Sequence, residues 1–207
     1  TTPTFTATGS ANTYGACSAT NASGVSTCTL SSTTTETKIL SIATPVVKVG
    51  GTVVFAPGAV SAANSTITGT SSVVANGVAT STITITLKDA SNVAVSGITP
   101  TFSATDTGAT NVYSACSASN ASGVSTCTMT STKAETKALS ITSPVSVVGG
   151  NVSFIAGSAS ASLSSIVGTT PILPDGVSTS AISINLVDAF SNPISGVVPT
   201  FSATNTG

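Results

Sequence analysis

One stretch occurs twice in this chain, as Cys17-Ser-Ala-Thr-Asn-Ala-Ser-Gly-Val-Ser-Thr-Cys28 and as Cys116-Ser-Ala-Ser-Asn-Ala-Ser-Gly-Val-Ser-Thr-Cys127. The copies are 99 residues apart, and the protein has 4 cysteines in all. The Asn-Ala-Ser-Gly centre is typical of a tight turn, because Asn and Gly tolerate a positive φ and Ser bonds to nearby backbone. Small and β-branched residues flank the turn. The stretch therefore predicts a β-hairpin whose strands are joined by a disulfide, Cys17–Cys28 in one copy and Cys116–Cys127 in the other.

The repeat extends well beyond the cysteines. Phe5, Phe102 and Phe201 each lie in a similar Thr-Phe segment, and Gly50-Gly51 recurs as Gly149-Gly150. A period of about 99 residues is the size of an immunoglobulin-like domain. The ends fall inside repeats, so we expect residues 1–50 to be the C-terminal half of a preceding repeat, 51–149 a complete repeat and 150–207 the N-terminal half of a following one. If the repeats are divided at these positions, we expect the native chain to continue at both ends.

The alternation of side chains predicts strands throughout. In Thr80–Lys88 the residues Ile83, Ile85 and Leu87 alternate with threonines, which is the period of a half-buried strand. No stretch has a helical period. The sequence therefore predicts an all-β fold of tandem immunoglobulin-like β-sandwich domains. Pro does not donate to a strand ladder, so the apolar segment around Pro144, residues 141–149, is interpreted as a short junction between two repeats.

The composition excludes several classes of protein. Charged residues make up 5% of the chain, the net charge is −1, and there is no histidine. Nucleic-acid binding requires clustered basic residues, so it is not expected. No apolar run is long enough for a membrane span. Paired cysteines without histidine indicate disulfides and therefore an oxidising compartment, which is extracellular or at the cell surface.

Two runs of the sequence resemble a known family. Residues 76–102 combine an Asn-Gly turn, an alternating strand, a turn at Asp89 and an apolar strand with Phe102. The second run, Asp188-Ala-Phe-Ser-Asn-Pro-Ile-Ser-Gly196, carries the Asp-x-x-x-Asn-Pro turn. Together they resemble bacterial immunoglobulin-like repeats of the invasin and intimin type. The resemblance implies tandem surface-exposed domains that form the stalks of adhesins and related fibres, where a tip domain usually binds the receptor. Paired cysteines in each hairpin are not a general feature of that family.

The search for a catalytic or metal site gives no candidate. Without histidine, Ser-His-Asp and Cys-His arrangements are impossible. The acidic residues are scattered, so neither a carboxylate pair nor a calcium cluster is predicted, and no cofactor or metal is expected. Asp89 and Asp188 occupy turns, where we expect each carboxylate to bond to its own backbone. The cysteines lack the tight spacing and the neighbouring cation of a redox pair, so structural disulfides are favoured.

Two lysines have a second interpretation. Lys38 and Lys137 share strand parity with inward-facing residues, as do Glu36 and Glu135. An inward Lys beside a Glu is the arrangement in which some surface fibres form Lys–Asn isopeptide bonds. The alternative, which we favour from the sequence, is a lysine whose stem is buried and whose ammonium lies in water.

These observations support two functional hypotheses. The first is a structural segment of an extracellular fibre or adhesin stalk, a semi-rigid, disulfide-stabilised rod whose partners are neighbouring repeats and other copies in a fibre. The second is a surface binding module whose loops recognise a host, prey or glycan ligand. The nearly identical hairpins favour the first, because a binding repeat should differ from its neighbours in its loops. An enzyme is not expected.

Overall fold

The computed structural model describes residues 1–204, and their regular structure consists of strands. The all-β prediction is confirmed, and residues 1–204 contain no helix that could cross a membrane. The strands are β1 (Thr4–Ala7), β2 (Asn12–Tyr14), β3 (Leu30–Ser32), β4 (Glu36–Thr44), β5 (Lys48–Phe55), β6 (Thr66–Gly69), β7 (Val73–Val74), β8 (Ser81–Thr86), β9 (Thr101–Ala104), β10 (Asn111–Tyr113), β11 (Val124–Ser131), β12 (Thr136–Ser143), β13 (Val147–Ile155), β14 (Ser165–Gly168) and β15 (Ile182–Asn185).

The chain divides into two compact units, each built from several segments. The first unit consists of Thr1–Ser65, Thr86–Ile98 and Ala118–Val124. The second consists of Thr66–Ile85, Thr99–Ser117 and the chain from Ser125 onwards.

The first unit contains an antiparallel sheet in the order β1-β4-β5, and β2 and β3 pair beside it as a separate hairpin. The register aligns Phe5 with Ile42 and Lys38 with Val53. In β4 the even-numbered residues Glu36, Lys38 and Leu40 share one face, as the sequence alternation predicts. That face therefore carries both the Glu36–Lys38 pair and the apolar side chain of Leu40.

The second unit contains two four-stranded sheets, in the orders β10-β11-β8-β6 and β7-β13-β12-β9. Their apolar faces pack on each other. A Cβ added at Gly69 would lie 2.9 Å from Ile83 Cδ1, 3.2 Å from Val152 Cβ and 3.3 Å from Leu139 Cδ1. These atoms belong to both sheets, so the core lies between them. The residues completely or almost completely buried there are Ile67, Ile83, Ile85, Met129, Leu139, Ile141, Val152 and Phe154.

The predicted limits of the repeats fall inside strands. The limit at 50/51 lies inside β5, and the limit at 149/150 lies inside β13. β5 pairs with β4 and β13 pairs with β12, so each strand completes the sheet formed by the residues before it. The segment around Pro144 is consequently the turn of a hairpin within one sheet rather than a junction. Limits placed after Phe55 and Ile155 would leave both strands with the sheets they complete. That the two ends of the chain are half-repeats stays a prediction.

A matched pair of glycines tests the packing of β6 on β13. Gly150 has φ +46, and a Cβ at this position would lie 2.2 Å from the carbonyl oxygen of Ile67. The equivalent Gly51 has open space at that position. We expect Gly150→Ala to lower the free energy of unfolding by roughly 2 kcal/mol through this clash and the strained φ. Gly51→Ala should leave it within about 0.5 kcal/mol of wild type. Equal effects in urea unfolding would contradict the observed strand packing.

Candidate functional site: disulfide hairpins, buried lysines and open apolar faces

The cysteines pair as the sequence predicts. Cys17 bonds to Cys28 with the Cα atoms 4.2 Å apart, and Cys116 bonds to Cys127 with the Cα atoms 4.4 Å apart. No cysteine is free. Both disulfides lie across a hairpin whose backbone bonds run from Gly15 N to Thr29 O and from Ser114 N to Thr128 O. The bonds thus cross-link adjacent segments, and they leave the opposite sheet untouched.

The turn of each hairpin is closed by its asparagine. The Oδ1 atom of Asn120 accepts hydrogen bonds from the backbone nitrogens of Ser122 and Val124, at 2.9 and 3.0 Å. Asn21 makes the same two bonds in the first copy. Gly123 has φ +75, which an L-residue rarely adopts. The repeated Asn-Ala-Ser-Gly sequence is therefore explained by turn geometry.

The two lysines differ from the favoured expectation, because their ammonium groups do not lie in water. Lys38 and Lys137 are both fully buried, with an exposure of 0%. In the second unit Lys137 Nζ lies 2.5 Å from Glu135 Oε1 and 3.4 Å from the carbonyl oxygen of Thr105. In the first unit Lys38 Nζ lies 2.6 Å from Glu36 Oε1 and 2.9 Å from the carbonyl oxygen of Ser10. Burial of an ammonium group is costly unless it is paired, which each glutamate achieves.

Hydrogen bonds from the two lysines lower the pKa values of the neighbouring glutamates. The hydrogen bond from Lys38 lowers the pKa of Glu36 below its usual value, with a further contribution from the backbone nitrogen of Ser10. Burial raises the pKa of Glu135, but hydrogen bonds from Lys137 and Thr107 outweigh that effect and hold the pKa below its usual value. Both glutamates are therefore ionised at neutral pH, each beside a buried lysine.

The turn aspartates do more than the predicted bonding to their own backbone. Asp188 Oδ1 accepts from the nitrogens of Phe190 and Asn192, which confirms that expectation, and Oδ2 accepts from Gly157 N at 2.9 Å. Asp89 binds Gly58 N in the same way at 2.9 Å. Gly58 and Gly157 follow the last strand of a preceding sheet. Each aspartate therefore fastens the segment that leads from one repeat into the next.

These bonds also set the aspartate pKa values. The backbone nitrogen of Gly58 is the largest influence that lowers the pKa of Asp89. Burial raises the pKa of Asp188, while hydrogen bonds from Asn192 and Gly157 lower it by more. Asp175 lies in an exposed turn, where hydrogen bonds from Ser178 and Val177 lower its pKa to about 2. All three turns are thus closed by ionised carboxylates at neutral pH.

Asn192 makes contacts that sequence reasoning missed. Its Oδ1 accepts from Ala134 N at 2.8 Å, and its Nδ2 donates to the carbonyl oxygen of Thr132 at 2.9 Å. Thr132 and Ala134 belong to the turn between β11 and β12, some 60 residues earlier. The Asp-x-x-x-Asn-Pro pattern identified the turn, but a local pattern does not reveal a distant partner.

The first unit has an open apolar cleft of about 530 Å³ on the face of its main sheet. Its walls include Phe5, Cys28, Leu40, Ile42 and Val53. The equivalents of four of these residues, Cys127, Leu139, Ile141 and Val152, are buried in the second unit. Three of them, Leu139, Ile141 and Val152, lie in the sheet opposite β6 and β8.

The chain beyond β13 has the complementary opening. Ile166 and Ile182 correspond to Ile67 and Ile83 at the 99-residue spacing, yet they are 54% and 39% exposed, whereas Ile67 and Ile83 are 1% and 0% exposed. A shallower cleft of about 310 Å³ lies beside them, lined in part by Leu186 and Phe201. Residues that are buried between two sheets around Ile67 and Ile83 therefore have exposed equivalents beyond β13.

Across residues 1–204, no three His, Cys, Asp or Glu side chains come together as a set that could hold a metal ion. The acidic side chains instead lie in turns or beside a lysine, where hydrogen bonds account for them.

Comparison with protein families gives one match. Residues 61–157 match the family model described as invasin, domain 3. The matched segment begins shortly after β5 and ends shortly after β13. A search of curated proteins finds no match.

Three solved structures resemble the chain. InvD of Yersinia pseudotuberculosis has a TM-score of 0.63 and 22% identity, over 94% of this chain and 62% of that one. The Escherichia coli adhesin FdeC has a TM-score of 0.64 and 21% identity, over 99% of this chain and 69% of that one. Invasin, described as a bacterial integrin-binding protein, has a TM-score of 0.59 and 26% identity, over 86% of this chain and 37% of that one. The chain thus spans less than two thirds of the InvD and invasin structures.

The burial of the two disulfides predicts an order of reduction. Cys127 is buried, whereas its equivalent Cys28 is exposed in the open cleft. Since a reductant must reach a sulfur atom, we expect Cys17–Cys28 to open several-fold faster than Cys116–Cys127 under a mild reductant. Timed alkylation followed by peptide mass spectrometry measures both rates. Equal rates, or a bond linking Cys17 to Cys116, would contradict the structure.

Proposed function

We propose that this chain, whose residues 61–157 match the family model described as invasin, domain 3, is a structural tandem-repeat segment of a bacterial adhesin stalk or surface fibre. An extracellular location agrees with the two disulfides, since disulfides persist in oxidising compartments. On this proposal the chain transmits tension between an anchor and a tip, and its partners are the repeats on either side.

The observation that carries the proposal is the polar contact between successive repeats. Asn192 belongs to the sequence that follows β13, and it binds the backbone of Thr132 and Ala134 in the preceding repeat. Asn192 is itself almost fully buried, and its Nδ2 also donates to Asp188 Oδ2 at 2.8 Å. A buried amide that satisfies both of its polar atoms resists displacement, because each broken bond would leave an unpaired group. Such a contact favours an ordered junction over a flexible linker.

The segment that follows β13, around Gly157, is also fixed by a hydrogen bond. Gly157 donates its backbone N–H to Asp188, whose carboxylate is held by Asn192 in turn. The carboxylate, the amide and the two backbone segments form one connected network. Tension applied along the chain would act on this network before it reached the apolar core. A semi-rigid rod is therefore the behaviour that the junction supports.

The surface offers little to a specific ligand. Charged residues are 5% of the sequence, and the exposed turns repeat with the same residues, as in Asn21 and Asn120. Binding sites usually concentrate aromatic or charged anchors in a pocket. The alternative function, a module whose loops bind a host, prey or glycan ligand, has no comparable observation in its favour.

A binding survey distinguishes the two functions. We expect the chain, immobilised with its disulfides intact, to give no saturable signal on glycan and extracellular-protein arrays that include integrins, because it lacks a concentrated site. The positive control is an integrin-binding invasin fragment on the same arrays. A saturable ligand that competes with soluble chain would replace the stalk proposal with the binding module.

The junction contact can be tested by one substitution. Asn192→Ala removes both hydrogen bonds to the preceding repeat, so we expect amide exchange at Ala134 to become faster by on the order of tenfold. The matched control is Val93→Ala, since Val93 occupies the equivalent position one repeat earlier. Exchange in the core strand β12 should be unchanged in both variants. Unaltered exchange at Ala134 in Asn192→Ala would contradict an ordered junction.

A further inference from the structure

A buried asparagine in the second unit has no hydrogen-bond partner for its side chain. Neither Oδ1 nor Nδ2 of Asn111 makes a hydrogen bond, although both atoms are inaccessible to water. An amide buried in this state destabilises the fold, because its donor and acceptor both lose their bonds to water. Such a group requires a specific explanation.

The strand arrangement directs Asn111 toward Lys137. Asn111 opens β10 and pairs with Ser131, the last residue of β11. Directly paired residues project to the same side of a sheet, and Ser131 is buried on the core side. Lys137 lies at the start of β12, in the facing sheet and only six residues after Ser131. The two side chains therefore enter the core from opposite sheets at the same end.

The first unit contains the same arrangement and supplies a common point of contact. Thr8 and Thr105 are equivalent, because each exchanges the same pair of backbone and hydroxyl bonds with β4 or β12. Asn12 Nδ2 lies 3.3 Å from the carbonyl oxygen of Thr8. Lys137 Nζ lies 3.4 Å from the carbonyl oxygen of Thr105. The asparagine of the first unit and the lysine of the second thus contact equivalent carbonyl oxygens, while Lys38 contacts the carbonyl oxygen of Ser10, two residues beyond Thr8.

Two further facts repeat between the units. Asn12 Oδ1 is also buried without a partner. Lys38, like Lys137, is fully buried beside a glutamate that lies two residues earlier in the chain. Each unit therefore brings together an inward lysine, a glutamate that contacts its Nζ atom and a carboxamide without a complete set of hydrogen bonds. This combination of groups is suited to transamidation, in which the lysine nitrogen replaces the nitrogen of the carboxamide.

We propose that Lys137 and Asn111 are joined by an intramolecular isopeptide bond that forms with the help of Glu135, and that Lys38, Asn12 and Glu36 form the same bond in the first unit. Glu135 accepts a proton from the lysine ammonium, and the neutral Nζ attacks Cγ of Asn111. The Nζ–Cγ bond forms as the Cγ–Nδ2 bond breaks. The proton held by Glu135 passes to the departing nitrogen, which leaves as ammonia. The Glu135 carboxylate then accepts the second proton that Nζ loses on becoming an amide and releases it to water, so the reaction needs no oxidant and no cofactor.

The geometry around Glu135 fits this role. Its Oε1 contacts Lys137 Nζ at 2.5 Å, and its Oε2 accepts a hydrogen bond from Thr107. One oxygen is thus fixed while the other faces the reacting nitrogen. Water is largely excluded, which favours reaction with the neighbouring carboxamide over hydrolysis. Glu135 would act as the proton-transfer group, since it touches the reacting nitrogen.

Intact mass measurement of the reduced, denatured chain tests the proposal. We expect the mass to be lower than that of the sequence by two molecules of ammonia. Glu135→Gln keeps the volume of the side chain but removes the proton acceptor, and it should restore one of them. Lys48→Ala, at an exposed lysine, is the control and should keep the full deficit. A chain with the unmodified mass would overturn the proposal.

Loss of ammonia has a second chemical source, a succinimide at Asn76-Gly77, so the site of the loss must be identified. Proteolysis of the wild-type chain should yield a branched peptide that contains both Asn111 and Lys137. Lys137→Ala and Asn111→Ala should each abolish that peptide and leave the corresponding product of Lys38 and Asn12 intact. A deficit that survives in Lys137→Ala and Lys38→Ala together, with no branched peptide, would assign the loss to succinimide and overturn the proposal.

Discussion

Packing of one apolar sheet face on another is the constraint on which the rest of this structure depends. The same sequence pattern gives different burial wherever the opposing face differs. Ile67 is 1% exposed between two sheets, whereas its equivalent Ile166 is 54% exposed where the second sheet has no counterpart. Burying an isoleucine side chain contributes about 1.5–3 kcal/mol. Several such residues per face make a half-core unfavourable in water, and the complete repeat gains the same amount when the two faces meet.

The polar interactions hold the segments that connect the packed sheets. Asp89 and Asp188 use their carboxylates to fix the chain where it leaves one sheet and enters the next repeat. The buried lysines are the exception, because an ammonium in a small core costs free energy that a glutamate only partly offsets. Lys38 and Lys137 are retained in both repeats at the same distance from the hairpin. A cost that is repeated in this way is more easily explained by chemistry than by packing.

Much of the fold follows from the sequence because its signals are local. The alternation in β8 and the Asn-Ala-Ser-Gly turns depend only on neighbouring residues, and both predictions are confirmed. The repeat limits stay a prediction, because Pro144 marks a turn equally well inside a sheet and between domains. The burial of Lys137 was underestimated because strand parity gives direction but not depth. Asn192 was missed because its partners lie in another repeat. What the sequence leaves open is therefore mostly long-range.

Asn192 also has a counterpart that differs, and the difference reaches beyond one contact. One repeat earlier the equivalent residue is Val93, which has no side-chain amide to span a junction. Repeats with the same fold and nearly the same sequence can therefore differ in how readily their junctions bend. The contact to the preceding turn thus depends on a single side chain, which a mutation can change without altering the apolar core. In a stalk built from such repeats, the order of asparagine and valine at this position would determine which junctions bend under load.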